Sequence, residues 1–267
     1  MASEQPSRSH ALRAGLPMIL ANAVVPLAGV VDTAVIGAVG DQRALGGVAL
    51  GTTVYNIAYF SLYFLRMSAT ALTAQARGAE EVRETQLILT RTTGWALAFG
   101  VLIVLAQTPL TSIGLSLFQA GAEVDGAARA YLGARLWGAP GALVLLGVSG
   151  WLIGSGRTRE VLMVNAALSA TNIALDCVFV LGAGLGVAGV GAATAAAETL
   201  AALMALAVAA KVVRTAGGWV PGVLSPRALV DPATLRRLGA INRDLMFRSW
   251  GMLVAVAWFT RSSASHG

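Results

Sequence analysis

The stretch VAGVGAATAAAETLAALMALAVAAKVV, residues 187–213, decides the class of fold. Its only charged residues are Glu198 and Lys211. A helix needs roughly 20 consecutive apolar residues to cross a bilayer, and this stretch is longer than that. Further apolar runs can be drawn at residues 12–39, 45–72, 87–107, 127–153, 161–181 and 245–259. The sequence therefore predicts an all-α protein that crosses a membrane several times.

The composition supports the same class of protein. Hydrophobic residues make up 56% of the chain and charged residues only 12%, whereas soluble domains average about 25% charged residues. A formal net charge of +6 would also suit a nucleic-acid-binding protein. However, the basic residues lie at the ends of apolar runs and do not form the patch that nucleic acid requires. We expect a lipid bilayer as a partner and no nucleic acid.

The placement of the basic residues predicts the orientation, because these residues concentrate in cytoplasmic loops. With the N-terminus in the cytoplasm, the opposite side holds Arg43 and Arg129. The cytoplasmic segments then hold Arg8, Arg13, Arg77, Arg83, Arg157, Arg159, Lys211, Arg214, Arg227, Arg236 and Arg237. We predict a six-helix lobe at residues 1–213, a cytoplasmic linker at 214–240 and the start of a seventh helix at 241–267, in a bacterial-type inner membrane.

Ionisable side chains at membrane depth cost about 2.5–3.5 kcal/mol each, so they are candidates for function. Arg91 and Arg135 lie nearer the ends of their runs, and we expect both side chains to extend to the membrane interface. Two alternatives remain open for the glutamate of the sixth run, which either pairs with an arginine or lines a cavity. The deep ionisable residues are Asp32, Arg66, Asp176 and Glu198.

Polar residues form stripes on three of the predicted spans. Residues spaced by three or four positions share one face of a helix, and a polar face inside a membrane should meet protein or water. If the stripes converge, Asp32 and Asp176 come close together, and two carboxylates at close range cannot both ionise cheaply. Such a site can hold a proton or bind a small cation; the alternative is that these residues only hold helices together. The stripes are Asn22, Pro26, Gly29 and Thr33 beside Asp32; Asn165, Ser169, Asn172 and Asp176; and Thr194 with Glu198.

Two short motifs resemble enzyme signatures without the context that an enzyme needs. Residues 184–189, GLGVAG, match GxGxxG, which binds dinucleotides only between a strand and a helix. Here the motif joins two apolar runs, so we predict a turn between helices. Residues 147–150, GVSG, resemble the surroundings of an intramembrane protease serine, but the two histidines, His10 and His266, lie in the terminal segments. We expect no enzyme activity, no cofactor and no resident metal.

Several stretches resemble MATE (multidrug and toxic compound extrusion) transporters, and the DinF-like branch in particular. Residues 15–40, GLPMILANAVVPLAGVVDTAVIGAVG, resemble the opening helix of that family. Four further stretches add to the resemblance, which covers nearly the whole chain up to about Arg261. They are residues 64–79, FLRMSATALTAQARGA; residues 172–176, NIALD; residues 186–194, GVAGVGAAT; and residues 241–244, INRD.

The resemblance implies twelve transmembrane helices in two six-helix lobes around a central cavity, with this chain carrying the N-terminal lobe. It also implies an antiporter in which entry of H⁺ or Na⁺ drives a small organic substrate out of the cell, with a bend of the first helix at Pro26. The residues for the coupling ion would be Asp32, Asp176, Asn172 and Thr194. The resemblance and the polar stripes together place Asn22, Pro26, Thr33, Tyr131, Ser169 and Glu198 along the substrate cavity.

The chain departs from the family pattern at its end. It closes with SSASHG at residues 262–267, just inside the predicted seventh helix, where relatives continue into a second lobe. We therefore expect a truncated C-terminal lobe and keep two alternatives to a complete antiporter. One is an inactive or subunit-like half-transporter. The other is a lipid-intermediate flippase of the wider superfamily, which would need a cationic cavity to hold a phosphate.

Overall fold

A computed structural model describes residues 34–37, 42–118 and 120–225, and the regular structure within these ranges is helical. The helices are accompanied by a 3₁₀ turn, Leu136–Gly138, and by a π-helical segment, Cys177–Gly182. Residues 34–37 form one further helical turn. The helices are α1 (Gln42–Ser61), α2 (Phe64–Gly78), α3 (Val82–Leu105), α4 (Gln107–Ser116), α5 (Ala122–Arg135), α6 (Ala139–Gly154), α7 (Thr158–Asp176) and α8 (Gly186–Thr215).

Five segments of the described residues are long and apolar enough to cross a membrane. They coincide with the second to sixth predicted runs, which confirms the prediction of an all-α membrane fold. Each segment begins before its predicted run, because a helix continues beyond the hydrocarbon into the polar interface. The predicted seventh run and most of the first lie outside the described residues. The five segments are Gln42–Gly78, Val82–Leu105, Ala122–Gly154, Thr158–Gly182 and Gly186–Thr215.

Three of the five spans depart from regular α-helical geometry, one of them through the π-helical segment, and α4 was not predicted. The first span breaks after Ser61, whose hydroxyl donates to the carbonyl of Ile57 at 2.7 Å, a bond that often bends helices. The third span passes through the 3₁₀ turn just before Pro140, which lies in the first turn of α6, where the missing N–H costs least. The short helix α4 is mixed in polarity and lies in what the sequence predicts as a connection.

Helix α6 is the central helix of the described bundle, and glycines allow its neighbours to approach closely. It packs against α2, α3 and α8. A Cβ atom at any of five glycines, four in α6 and one in the 3₁₀ turn before it, would lie 2.7 Å or less from an atom of a neighbouring helix. The five and their neighbours are Gly138 and Gly141 against Ala195 and Thr199 of α8, Gly147 against Thr92 of α3, and Gly150 and Gly154 against Arg66 and Thr70 of α2. Close packing through small residues, expected for membrane helices, fits these contacts.

Contacts between helix ends show which ends share a side of the bundle. Arg77, at the end of α2, donates to the carbonyl of Ser155 at the end of α6. The amide side chain of Gln86, near the start of α3, donates to the carbonyl of Gly218 at 2.9 Å, just after α8. These ends carry Arg77, Arg83, Arg157, Arg159 and Arg214, the residues that the sequence assigns to one side.

The segment with the GxGxxG match is a turn between helices, as predicted. It joins the π-helical segment to α8, and both Gly184 and Gly186 have positive φ angles, +67° and +55°. Glycine adopts this backbone region without steric cost. Ser149, from the other enzyme-like motif, is buried in the middle of α6.

Candidate functional site

The polar stripe of α7 is a buried face of the helix. Asn165, Ser169, Asn172 and Asp176 are all buried, and Asp176 has no exposed surface. Apolar residues on other faces, such as Met163 and Ile173, are exposed at the outside of the bundle. This is the reverse of the pattern in a soluble protein and the arrangement that a helix in lipid requires. The predicted stripe therefore faces protein.

Asn172 and Asp176 are in direct contact. The side-chain amide of Asn172 donates to Asp176 Oδ2 at 2.6 Å, one helical turn away. Because the amide is neutral, the bond orients the carboxylate without cancelling its charge. A carboxylate held in this way, with no exposed surface, is chemically suited to take up a proton or to coordinate a small cation with neutral oxygens.

The backbone changes geometry immediately after Asp176. Helix α7 ends at this residue, and the π-helical segment Cys177–Gly182 begins at the next one. The amide of Ala183 donates to the carbonyl of Val178, five residues earlier, as a π-helix requires. Short π-helical turns are rare and occur often at functional sites. This segment could not be predicted from the sequence, because apolar periodicity does not separate an α-helix from a single π turn.

Tyr131 and Thr194 lie on α5 and α8, two helices that pack together. Tyr131 is buried, and its hydroxyl accepts a hydrogen bond from Thr52 Oγ1 of α1 at 3.2 Å. Thr194 is half-buried and donates to the carbonyl of Val190 in its own helix at 3.0 Å. Helix α8 also packs against α7, which carries Asp176. The helix with Thr194 thus contacts the helices that carry the other described candidates.

Glu198 pairs with an arginine, one of the two alternatives that the sequence left open. Arg135 Nη1 and Nη2 lie 2.7 Å and 2.6 Å from the two carboxylate oxygens of Glu198. The prediction that Arg135 extends to the membrane interface is wrong, since only 5% of its side chain is exposed. Helix α5 starts at Ala122, five residues before the predicted run, so Arg135 lies about 20 Å along the helix axis from its start. Arg91 reaches back toward the start of α3, where it pairs with Glu84 at 3.2 Å.

Four predicted site residues lie outside the described ranges: Asn22, Pro26, Asp32 and Thr33. The described residues therefore supply one carboxylate of the predicted pair, Asp176, with its neighbour Asn172. Arg135 is a site residue that the sequence did not predict. Its spacing from Tyr131 is four positions, the same spacing that separates Glu198 from Thr194. The signal in the sequence was that a charged residue follows a polar residue by four positions on both helices, with a positive charge on α5 and a negative charge on α8.

Part of the chain matches a known protein family, and most of it resembles the sequences of known proteins. Residues 17–178 match the family described as MatE. The chain is 38% identical over 234 residues to DNA damage-inducible protein F of Escherichia coli K12, covering 88% of this chain and 50% of that protein. It is 28% identical over 176 residues to the probable multidrug resistance protein NorM of Thermotoga maritima, covering 66% of this chain and 38% of that protein. The chain thus spans half the length or less of these two relatives.

Solved structures resemble the fold of this chain. A MATE protein in the straight conformation matches with a TM-score of 0.81 and 20% identity, over 96% of this chain and 56% of that one. A MOP superfamily transporter from Pyrococcus furiosus matches with a TM-score of 0.79 and 20% identity, over 92% of this chain and 53% of that one. At this level of identity the likeness concerns the fold alone.

Proposed function

Because the chain belongs to the MatE family, we propose that it forms the N-terminal lobe of an exporter that moves an organic compound out of the cell in exchange for H⁺ or Na⁺. In this proposal residues 1–213 form the lobe, residues 214–240 form a cytoplasmic linker and residues 241–267 begin a second lobe. The membrane is the bacterial inner membrane, with the N-terminus and the ends of α2, α6 and α8 on the cytoplasmic side.

The observation that carries the proposal is the full burial of Asp176 beside Asn172 in a membrane-spanning helix. A buried carboxylate in a membrane is costly, and such residues typically mark ion or proton pathways. We assign the coupling ion to Asp176 and Asn172, together with Thr194 and Asp32. Asn22, Pro26, Thr33, Tyr131, Ser169 and Glu198 would line the substrate cavity.

The pairing of the buried arginines with carboxylates favours this function over lipid-intermediate flipping. A phosphate-bearing substrate needs positive charge that is available to it. The charge of Arg135 is matched by a bidentate contact with Glu198, and Arg91 contacts Glu84. The two buried arginines of the described bundle are therefore each paired with a carboxylate, which favours a neutral or cationic organic substrate over a phosphate.

The proposal is tested by reconstituting the chain in liposomes and measuring the efflux of ethidium against an imposed gradient of pH or of Na⁺. We expect Asp176→Asn to reduce gradient-driven efflux by at least about tenfold, because the amide cannot exchange a proton and carries no charge for Na⁺. Glu160→Gln is the matched control: it removes a carboxylate from the first turn of the same helix, outside the polar stripe.

The outcomes separate the alternatives. Wild-type efflux in Asp176→Asn would refute the assignment of the coupling ion. A wild-type chain whose thermal stability responds to the cation, but which exports nothing by itself, would identify the half-transporter that needs a second lobe. Uptake of a lipid-linked phosphate in place of ethidium would identify the flippase.

A further inference from the structure

We propose that Arg135 and Glu198 are positioning residues, which fix the alignment of α5 along α8. They thereby place Thr194 of the proposed coupling site relative to Tyr131 of the proposed substrate cavity. The inference rests on the proposed function and deepens it. It assigns a role to Arg135 and replaces cavity lining by positioning as the main task of Glu198.

The pair links three helices at one buried point. The guanidinium of Arg135, on α5, makes two contacts with the carboxylate of Glu198, on α8, at 2.7 Å and 2.6 Å. The same guanidinium lies over the ring of Tyr55, on α1, 3.8 Å from its centroid. Both charged side chains are largely buried, with 5% and 15% of their surface exposed.

Proposed site residues lie one helical turn away from the pair on both helices, a cavity residue on α5 and a coupling residue on α8. Tyr131 precedes Arg135 by four residues, and Thr194 precedes Glu198 by four residues. Residues four apart lie on the same helix face, about 6 Å apart along the axis. The position of α8 relative to α5 at the ion pair therefore determines the position of Thr194 relative to Tyr131.

Tyr131 is tightly enclosed, so a small shift of either neighbouring helix would disturb it. Its hydroxyl accepts a hydrogen bond from Thr52. A Cβ atom at Gly51 of α1 would lie 2.5 Å from the Tyr131 ring, and a Cβ atom at Gly191 of α8 would lie 2.5 Å from the Tyr131 carbonyl oxygen. Tyr131 thus approaches α1 through its ring and α8 through its backbone, and these helices carry Tyr55 and Glu198, the two contacts of Arg135.

The packing face of α8 explains why a polar contact is needed to fix the alignment of α8 along α5. Its buried residues are alanine, glycine and valine, which permit close approach but present shallow ridges. A shift of one residue along the helix axis, about 1.5 Å, would preserve much apolar contact. The same shift would break the bidentate pair and leave two buried charges without their partners, which is strongly unfavourable. The planar fork of arginine makes the pair selective for one alignment.

Positioning and stabilisation make different predictions for an apolar replacement. Replacing a buried ion pair by apolar residues of similar volume is often neutral or stabilising, whereas removing one partner is strongly destabilising. The double variant Arg135→Met/Glu198→Leu should therefore keep its melting temperature in detergent and melt above either single variant. Its response to the cation should nevertheless be lost or weakened.

The test measures the melting temperature of the full chain in detergent as a function of Na⁺ concentration and of pH, because a bound ion stabilises the folded state. We expect the midpoint, the concentration of Na⁺ or H⁺ that gives half of the stabilisation, to rise at least about tenfold in the double variant. The control, Arg43→Gln/Glu123→Gln, removes an exposed ion pair that also joins α1 to α5 and should leave the midpoint unchanged. A wild-type midpoint in the double variant would overturn the proposal.

A second measurement separates failure of this inference from failure of the proposed function. If the wild-type chain responds to neither cation, the proposed coupling fails, and alignment is judged by ¹⁹F NMR of fluorotyrosine-labelled chain. The chain has four tyrosines, and Tyr131→Phe assigns the relevant line. Several lines or one broadened line for Tyr131 in the double variant would show mixed alignments and support positioning. A single sharp line would refute it, since the loss of one neighbouring group shifts a line without splitting it.

Discussion

Asn172 Nδ2 lies 2.6 Å from Asp176 Oδ2, and both residues are buried in the membrane-spanning helix α7. The amide points its donor at one carboxylate oxygen. Among the described residues, this pair corresponds to the predicted coupling site. The contact determines the effect that we expect from a substitution of either residue.

The first prediction concerns the orienting amide. Asn172→Ala removes a hydrogen bond to a carboxylate, and such bonds contribute about 1.5–3 kcal/mol. We expect the apparent affinity for the coupling ion to fall about 10- to 100-fold, while the maximal rate of ethidium efflux changes less. The measurement is efflux rate against cation concentration in proteoliposomes.

Thr171→Ala is the control for this prediction, since Thr171 neighbours Asn172 but lies on a different helix face. Equal losses in both variants would mean that α7 is merely sensitive to truncation. An unchanged affinity in Asn172→Ala would exclude Asn172 from the coupling site.

The second prediction concerns the central helix α6. Gly150 packs against the backbone of Arg66, and an added Cβ atom would lie 2.5 Å from the Arg66 carbonyl oxygen. Backbone atoms cannot rotate away, so Gly150→Ala should destabilise the chain by about 1–3 kcal/mol, the usual range for overpacking. Thermal unfolding in detergent measures the loss.

Gly133→Ala is the matched comparison, because Gly133 is also helical and has no atom within 4 Å of an added Cβ. This variant should be neutral or more stable by up to about 1 kcal/mol, as expected for alanine in place of glycine in a helix. If both variants melted alike, α2 and α6 would not approach each other as closely as described.

The third prediction concerns the segment that follows α8. Gln86 is buried on α3; its amide donates to the carbonyl of Gly218, and its carbonyl accepts from the amide of Val220 at 2.8 Å. Gln86→Leu removes both bonds. The backbone amide of Val220 should then exchange with deuterium at least about tenfold faster, since 1.4 kcal/mol corresponds to that factor.

Gln75→Leu replaces an exposed glutamine of α2 and should leave the exchange of Val220 unchanged. Slow exchange of Val220 in Gln86→Leu would show that apolar contacts of Trp219, rather than Gln86, hold this segment on the bundle.

Features that repeat along one helix could be predicted from the sequence. The spans and the stripe of Asn165, Ser169, Asn172 and Asp176 depend only on helical periodicity and hydropathy, and the structure agrees with both. Features that depend on contacts between helices could not. Arg135 meets Glu198 across 63 positions of sequence, and no local pattern specifies that contact.

Helix irregularities were also missed, for a related reason. The break after Ser61 and the π-helical segment after Asp176 change the hydrogen bonding of the backbone within continuous apolar runs. Hydropathy reports whether a residue suits lipid and carries little information about which carbonyl its amide meets. The π-helical segment nevertheless determines how Asp176 is presented, because it begins at the next residue.

The central claim, that Asp176 binds the coupling ion, is tested most directly by infrared difference spectroscopy of the carboxylic acid C=O band. The purified chain in nanodiscs would be titrated with pH, with and without Na⁺, and compared with Asp176→Asn. We predict a carboxyl band that appears as the pH falls in the wild-type chain and is missing in the variant, and that Na⁺ suppresses if Na⁺ competes for the site. Identical difference spectra for the two chains would contradict the claim.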